Sequence, residues 1–300
     1  MSRIAIADNV AQAQSSGRAV VLLDTMLLTY GLAFPVNVEH ALALQEQIAA
    51  TAVLPVFAAM LDGRIVLGLS ATELRHLGAC KLAKIGPADL AVAAARRVTG
   101  VMTVGALLIV ARQAGISLVG TGGLGGLHRG LPEVVDVSSD LTELARSTVA
   151  VVCSGAKAIL DLPNTVELLE TLGVPILGFN VDSLPGYWTR ETGLPVSARV
   201  GTAEEVAAIW RAQRELGLPQ GLVVANPAPG AGFDSGELQR WIDAAQADAQ
   251  AKGIRGKALT PFLQAHLQQR SGGETVSRTL ELLTANCLLA ADIAKALGSR

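Results

Sequence analysis

The segment VVLLDTMLLTYGLAFPVN (residues 20–37) begins with four apolar residues and then changes to a helical pattern. The same arrangement recurs, because four further apolar runs are each followed by an amphipathic stretch. The predicted strands are Val20–Leu23, Ile116–Val119, Val149–Val152, Val174–Phe179 and Leu222–Ala225. Strands that are apolar on both faces are typical of sheets covered by helices on two sides. The pattern therefore predicts one α/β domain over residues 1–300, with a partly parallel mixed sheet flanked by helices on both sides.

Several helix starts can be placed from their capping residues. Ser70 with Glu73, and Thr202 with Glu205, have the spacing of a capping box, in which side chains and backbone N–H groups satisfy each other. Asn37 is expected to cap the helix that runs through the following residues. The C-terminal third is predicted to be mostly helical, with one helix over 237–250 and another over the last 25 or so residues.

One local hairpin is predicted where Asp62 and Gly63 separate the apolar runs PVFAAML and RIVLGL. Both central residues of a type I′ turn need positive φ, which Asp-Gly tolerates well. We expect this hairpin to form a small excursion from the main sheet.

Composition excludes several classes of protein. Half of the 300 residues are hydrophobic and 17% are charged, so the chain can build a core and is not intrinsically disordered. The net charge of -2 and the small number of aromatic residues argue against a nucleic-acid-binding surface. No apolar run reaches the roughly 18 residues of a membrane span, and the N-terminus lacks a signal-peptide pattern. The three cysteines give no disulfide or zinc spacing. We expect a cytoplasmic protein that does not bind a membrane.

Polar residues follow the predicted strands directly, at the positions where open α/β sheets bind ligands. These positions are Asp24, Thr121, Asn180, Asn226 and the segment 153–157. They include an acid, a hydroxyl, a lysine and two amides, which is a reasonable set of side chains for an active site.

The segment GTGGLGGLHRG (residues 120–130) contains the spacing G-x-G-x-x-G, and Asp140 lies twenty residues after its first glycine. A dinucleotide fingerprint must open a helix, however, and no helix fits before the next predicted strand at Val134. We therefore expect no nicotinamide cofactor. The loop could let backbone N–H groups approach an anion, with Thr121 and His128 beside it, or its glycines could simply form a tight turn.

The segment VDVSSDLTEL (residues 135–144) marks the start of a helix and contains Ser138, Ser139 and Asp140. Asp140 has two open interpretations. It could be a helix cap, or its carboxylate could hold a hydrated divalent ion next to the hydroxyls. Helix N-termini also bind phosphate, so this segment is a candidate for both kinds of ligand.

Two residues are candidates for catalysis. Lys157 stands in the apolar segment AVVCSGAKAILDL (residues 150–162), where desolvation favours the neutral amine that attacks carbonyls. The alternative is a lysine whose charged end reaches solvent. Lys84 is a second cation that could bind phosphate. Asp24 ends a buried strand, so it is either an acid/base or a buried capping residue.

These motifs together resemble the pseudouridine-5′-phosphate glycosidase family, over about residues 18–295. The strongest matches are TGGLGGLHRG and CSGAKAILD, with further matches in KIGPADL, VDVSSDLTELA and GKALTPFL. The resemblance implies reversible cleavage of a C–C glycosidic bond, giving ribose 5-phosphate and uracil. It also implies a divalent metal, usually Mn²⁺, and assembly as a homotrimer.

The resemblance assigns roles to residues of this sequence. It implies that Lys157 forms a Schiff base with C1 of the ring-opened ribose, and that Asp140 holds the metal with His128 close by. Asp24 takes the place of a Glu that serves as the family's proton donor. The residues expected to bind the substrate are Lys84, Thr103, Val104 (through its backbone), Thr121, His128, Ser138, Ser139 and Asn286.

Departures from the family pattern fall on the side of the aglycone, the group joined to the sugar. Val181 stands where the family usually has Thr, Trp188 where it usually has Tyr, and TANCLL keeps Asn286 but loses polar neighbours. We therefore favour biosynthetic C-ribosylation of a small aromatic acceptor such as a polyketide, similar to the C-glycosynthase of the alnumycin pathway in antibiotic biosynthesis. The alternative is a pseudouridine-5′-phosphate glycosidase. A non-catalytic sugar-phosphate-binding protein is disfavoured, because Lys157 is present.

Overall fold

The computed structural model describes residues 4–30, 32–129 and 136–298, without the side chains of Tyr30 and Lys257. The predicted strand start at Val134 lies outside the described residues. The α/β prediction is confirmed. Two of the five predicted strands have the expected bounds, and the other three differ by one or two residues at one or both ends.

Within the described residues, eleven strands form one sheet and two short strands form a separate pair. The strands are β1 (Ile4–Ile6), β2 (Val20–Leu23), β3 (Leu54–Leu61), β4 (Arg64–Leu67), β5 (Ala83–Ile85), β6 (Gly100–Met102), β7 (Leu118–Gly120), β8 (Leu127–His128), β9 (Ala150–Cys153), β10 (Leu160–Asp161), β11 (Ile176–Phe179), β12 (Ala198–Val200) and β13 (Leu222–Ala225).

The main sheet has the order β1-β4-β3-β2-β7-β9-β13-β11-β12, with β6 beside β3 and β5 beside β6. All its pairs are parallel except β3 with β4 and β3 with β6. Since parallel neighbours end at the same edge, the carboxyl ends of β2, β7 and β9 lie side by side. The small pair β8–β10 lies outside this sheet.

The predicted hairpin is present, and Asp62 and Gly63 both have positive φ, at 47° and 76°. It is not a separate excursion, however, because both of its strands belong to the main sheet. The first half of β3 pairs with β2, and its second half pairs with β4 and β6. The eight residues of β3 are long enough to serve all three neighbours, a tertiary pairing that the local turn signal does not reveal.

Twelve α-helices lie within the described residues. They are α1 (Asp8–Ser15), α2 (Leu27–Tyr30), α3 (Val36–Ala49), α4 (Ala71–Gly78), α5 (Leu90–Ala95), α6 (Val104–Ala114), α7 (Ser139–Leu144), α8 (Leu162–Thr171), α9 (Ala203–Glu215), α10 (Ser235–Ala251), α11 (Leu259–Arg270) and α12 (Glu274–Gly298). Short 3₁₀ turns precede α5 and α11, at Pro87–Asp89 and Gly256–Ala258. None of the described helices is long and apolar enough to cross a membrane.

Apolar residues are buried on both faces of the sheet. Along β2, Val21 and Leu23 belong to a core that includes the inner face of α12, while Leu22 belongs to a second core that includes the inner face of α6. This alternation explains why the parallel strands read as uninterrupted apolar runs. The long C-terminal helix α12 packs against β2, β7 and β9 near the ends where polar residues gather.

The capping predictions have different outcomes. Ser70 and Glu73 form the expected capping box at the start of α4, and Thr202 Oγ1 accepts the Glu205 N–H at the start of α9. Asn37 does not cap α3, which corrects that prediction. It lies inside the helix, fully buried, and its Nδ2 donates to the carbonyl oxygens of Leu28 (2.6 Å) and Gly78 (3.0 Å). Tertiary contacts have overridden the local capping preference.

Candidate active site

The carboxyl ends of β2, β7 and β9 open into a cavity of about 390 Å³. Nine of the residues that sequence reasoning assigned to the site line it together. They are Asp24, Lys84, Thr103, Val104, His128, Ser138, Ser139, Asp140 and Lys157. Residues that are up to 133 positions apart in the chain are therefore gathered around one space, as expected for strand ends in an open α/β sheet.

Asp24 comes directly after β2 and has both carboxylate oxygens occupied by donors. Its Oδ1 accepts the Met26 N–H at 2.8 Å, and its Oδ2 accepts the Thr121 hydroxyl at 2.7 Å. Burial raises the pKa of this carboxyl, and the two hydrogen bonds and the charge of Lys157 only partly oppose that effect. Asp24 therefore keeps its proton at a pH where an exposed aspartate has lost it, as a proton donor must.

Lys157 follows β9 and is held against the glycine-rich loop by its backbone. Its N–H donates to the Leu124 carbonyl at 3.1 Å, and Ala156 forms a parallel bridge with Leu124. The side chain lines the cavity, and its positive charge lowers the pKa of both Asp24 and His128. A primary amine and a carboxyl that holds its proton thus face the same space.

The glycine-rich loop is shaped by close contacts, and it is followed by the strand β8 rather than by a helix. A Cβ on Gly123 would lie 2.6 Å from the ring of Tyr187, and a Cβ on Gly125 would lie 2.2 Å from Ser138 Oγ. No larger residue fits these places without displacing a neighbour. The geometry is not that of a dinucleotide-binding turn.

Asp140 is not the cap of α7, because Ser138 has that position and its Oγ accepts the Asp140 N–H at 3.2 Å. The buried carboxylate instead joins two other elements. Its Oδ1 accepts the Gly105 N–H of α6 at 2.7 Å, and its Oδ2 accepts the Gly125 N–H at 2.8 Å. Asp140 therefore fixes the glycine-rich loop against the start of α6.

The residues around Asp140 can be tested for their fit to a metal ion. Among residues 4–30, 32–129 and 136–298, no three His, Cys, Asp or Glu side chains are grouped to hold a metal. Each Asp140 oxygen retains a lone pair beyond its backbone hydrogen bond. The donor set fits a divalent ion that keeps most of its water, which Mg²⁺-like ions do, and it does not fit an ion enclosed by protein ligands.

One end of the cavity is suited to an anion. Helix α6 begins there, with Thr103 as its N-cap and Val104, its first residue, lining the cavity. The next two N–H groups, of Gly105 and Ala106, are accepted by Asp140 Oδ1 and Thr103 Oγ1. Lys84 on β5 lines the same cavity, and so do Ser138 and Ser139 at the start of α7. A helix N-terminus combined with an ammonium group and hydroxyls favours a phosphate group.

His128 connects the glycine-rich loop to the helix that covers the cavity. Its Nε2 lies 3.1 Å from Thr260 Oγ1 on α11. Burial lowers the pKa of this histidine, with smaller contributions from the charges of Lys157 and Lys84, whereas Asp136 opposes the shift. The imidazole is therefore neutral near pH 7 and can either donate or accept a hydrogen bond.

Two of the predicted substrate-binding residues do not line the cavity. Thr121 is fully buried, and its hydroxyl is used by Asp24. Asn286 on α12 is also fully buried, with its Nδ2 donating to the Thr121 carbonyl (2.9 Å) and its Oδ1 accepting from Asn226 Nδ2 (3.0 Å). Thr121 orients Asp24, and Asn286 holds the backbone of Thr121, so both residues support the site without lining the cavity. Sequence position alone could not separate this role from substrate contact.

The wall formed by α12 was missed at the sequence level. Val276, Thr279, Leu280 and Leu283 line the cavity, together with Tyr187 from the segment after β11. These four residues of α12 are spaced by three, one and three positions, which places them on one face of a helix. This spacing is the feature of the sequence from which the wall could have been predicted. Val181 and Trp188, which suggested an altered aglycone side, are buried and do not line the cavity.

The chain matches the family described as indigoidine synthase A like protein over residues 9–296. A protein of Methylobacterium nodulans named pseudouridine-5′-phosphate glycosidase is 45% identical, over 97% of this chain and 87% of that protein. A protein of the same name from Caldanaerobacter subterraneus subsp. tengcongensis is 41% identical, over 97% of this chain and 95% of that protein.

Two solved structures resemble the whole chain. One is an indigoidine synthase A-like protein from Thermotoga maritima, with a TM-score of 0.89, 31% sequence identity and coverage of 99% of this chain and 98% of that one. The other is the prealnumycin C-glycosynthase AlnA in complex with ribulose 5-phosphate, with a TM-score of 0.90, 29% identity and coverage of 99% and 97%.

Proposed function

The chain belongs to the family of indigoidine synthase A like proteins, and on this basis we propose that it is a pseudouridine-5′-phosphate glycosidase, which releases uracil and ribose 5-phosphate. The observation that carries the proposal is that Lys157 and Asp24 face one cavity whose other residues suit a phosphate. A sugar whose phosphate is bound at Lys84 and the start of α6 would extend its carbon chain through the cavity that Lys157 also lines. Both C–C bond cleavage and C–C bond formation need this combination of groups.

The cleavage step can be written through these residues. The Lys157 amine attacks C1 of the ribose, and the C1–O bond of the furanose ring breaks as the N–C1 bond forms, with a proton of the amine passing to the released ring oxygen. Asp24 then donates its proton to the uracil carbon attached to C1. The nitrogen lone pair forms a C=N bond while the C–C bond breaks, and the electron pair of that bond returns to the uracil ring. Water then adds to the iminium carbon, which releases ribose 5-phosphate and restores the amine.

Two observations favour uracil release over the C-ribosylation that the sequence departures suggested. Relatives at 41–45% identity are named pseudouridine-5′-phosphate glycosidase, whereas the C-glycosynthase structure is 29% identical. In addition, Val181 and Trp188 do not line the cavity, so their replacement does not alter its wall directly.

C-ribosylation of an aromatic acceptor is the second candidate function, and one feature of the cavity supports it. Met26, Leu27, Leu32, Leu280 and Leu283 give the cavity an apolar side. Such a wall suits a planar aromatic ring as well as a pyrimidine. The two candidates share the sugar phosphate and the lysine, so they differ only in the aglycone.

We propose that a divalent ion, with Mn²⁺ expected from the resemblance, is held by Asp140 through one carboxylate oxygen and by water. When bound, it would supply positive charge beside the sugar phosphate. Homotrimeric assembly is likewise a proposal, and light scattering of the purified protein measures it directly.

The first experiment is incubation with pseudouridine 5′-phosphate and Mn²⁺, with uracil and ribose 5-phosphate measured by chromatography. In parallel, ribose 5-phosphate and borohydride should leave a reduced adduct on Lys157, located by peptide mass spectrometry. Lys157→Ala should abolish both signals. Lys84→Ala, the matched control, should still form the adduct at high ribose 5-phosphate. Adduct formation without uracil release would reject the glycosidase in favour of another acceptor, and absence of both would reject the enzyme proposal.

A further inference from the structure

Tyr187 occupies an unusual backbone position at the cavity. It has φ of +66°, a left-handed conformation that an aromatic residue adopts rarely and at some cost in energy. Its N–H donates to the Ser154 carbonyl at 2.9 Å, just beyond β9. The side chain is only 3% exposed yet lines the cavity. The structure thus maintains a costly conformation that directs this ring into the site.

The ring of Tyr187 is fixed from two sides. On one side it packs on the backbone of Gly122 and Gly123, and a Cβ on Gly123 would lie only 2.6 Å from the ring. On the other side it meets Trp188 edge to face, with centroids 5.0 Å apart, and a row of such contacts continues through Phe233 to Trp241. Edge-to-face aromatic pairs are stabilising and directional. These contacts hold the ring in one position at the cavity.

Tyr187 lies close to Thr279, which lines the same cavity. Thr279 already donates its hydrogen to the Thr275 carbonyl at 2.7 Å and accepts the Trp188 Nε1–H at 3.0 Å. A hydroxyl has one hydrogen, so Thr279 has none left to donate to the Tyr187 oxygen. Thr279 therefore leaves the lone pairs of the Tyr187 oxygen available as acceptors.

This oxygen lies beside Gly122, where an added Cβ would be 3.2 Å from it, and Gly122 follows Thr121, whose hydroxyl holds the Asp24 carboxylate. The charge of Asp24 acts on Tyr187, and Asp24 is the residue that would protonate the aglycone carbon. Burial raises the pKa of Tyr187 to about 12, so the phenol keeps its proton in the working pH range. The α12 residues beside it, Val276, Leu280 and Leu283, are apolar and offer no hydrogen bond.

We propose that the Tyr187 oxygen accepts a hydrogen bond from a ring N–H of the aglycone and thereby selects a cyclic imide such as uracil over an all-carbon aromatic ring. The inference rests on the proposed function, because it places uracil beside Asp24. It adds a specificity-determining residue that neither the motifs nor the family resemblance assigns.

The test is calorimetric titration of uracil into wild-type protein and Tyr187→Phe. Both proteins are first saturated with ribitol 5-phosphate, which lacks the aldehyde and cannot react with Lys157. Uracil methylated on both ring nitrogens serves as the matched ligand without an N–H donor. Tyr187→Phe should weaken uracil binding about tenfold and change binding of the dimethyl ligand by less than about twofold.

Equal uracil affinities in the two proteins would overturn the inference. So would an equal loss of affinity for both ligands, which would indicate altered packing, or a wild-type protein that binds no uracil. Borohydride trapping of ribose 5-phosphate on Lys157 in the variant checks that its site is folded. Because the titration needs no turnover, its result is independent of the uracil-release assay that tests the proposed function.

Discussion

The Thr121 hydroxyl donates a 2.7 Å hydrogen bond to Oδ2 of Asp24, although it lies outside the cavity that Asp24 lines. Asn286 in turn holds the Thr121 carbonyl from helix α12. The orientation and acidity of the proposed proton donor therefore depend on residues that no substrate touches. This arrangement leads to a prediction about pH.

Thr121→Val removes a hydrogen bond that stabilises the ionised form of Asp24, so the pKa of Asp24 should rise further. A donor must be protonated, and activity is lost at high pH as Asp24 ionises. In a plot of kcat against pH, we expect the fall in activity at alkaline pH to occur at a higher pH in the variant than in the wild type. Thr171→Val, on the exposed face of α8, is the control and should leave the profile unchanged. A profile unchanged in Thr121→Val would contradict the role of Asp24 as the donor.

Asp24→Asn should reduce kcat by at least about 10²-fold, the usual contribution of a general acid. It should also change how stability depends on pH. The folded-state pKa of Asp24 is raised above its ordinary value of 3.8, so the wild type is stabilised at low pH and loses that contribution as pH rises through the folded-state pKa. The variant lacks this dependence. Thermal unfolding of both proteins across a pH series measures the difference. If the stabilities of the two proteins changed in parallel with pH, the pKa of Asp24 would not be shifted in the folded state.

Asp140→Asn should destabilise the fold by about 2–4 kcal/mol, because an amide cannot accept the N–H groups of both Gly105 and Gly125. It should also abolish Mn²⁺ binding, measured by electron paramagnetic resonance on the protein alone. Asp136→Asn removes a charge from the same cavity wall without affecting those two bonds, and serves as the control. If Asp140→Asn bound Mn²⁺ as well as the wild type does, the proposal that Asp140 is the metal ligand would be wrong.

Gly125→Ala should destabilise the protein by about 1–3 kcal/mol, because the new methyl group would overlap Ser138 Oγ and press on Asp140 Oδ2. The displaced loop should also raise KM for the phosphorylated substrate. Gly236→Ala, in helix α10 where the nearest atom would lie 3.4 Å away, is the control and should be neutral or slightly stabilising. Denaturant unfolding and initial rates measure the two effects. Equal unfolding free energies and KM values for the two variants would mean that the glycine-rich loop accommodates the methyl group, which would contradict the prediction.

The parts of the fold that sequence predicted well are those set by local patterns. β2 and β13 are four-residue apolar runs, and burial on both faces of a helix-covered sheet makes such runs unambiguous. The capping box at Ser70 likewise needs only residues three apart. Asn37 has the same local preference, yet its amide is used by Leu28 and Gly78, which only the folded structure brings near it.

The candidate site was predictable where polar residues directly follow strands. Asp24 and Lys157 were found in this way, because parallel topology brings such ends together. Thr121 also follows a strand but does not line the cavity, because it is fully buried and its hydroxyl is bonded to Asp24. Tyr187 lies eight residues beyond the end of β11 rather than directly after it, and the α12 wall begins 51 residues beyond the end of β13. Their placement depends on how the last helix packs, which short-range patterns do not specify.

The position of that helix has a consequence for biosynthesis. The chain is made from its N-terminus, and every strand of the described sheet is complete by Ala225. The cavity wall from Val276 to Leu283, and the Asn286 amide that holds Thr121, are translated only later. A nascent chain can therefore assemble its sheet while still lacking one side of the cavity. The cavity is thus closed only when this helix has been made, so a prematurely terminated product would contain Lys157 and Asp24 without the α12 side of the cavity around them.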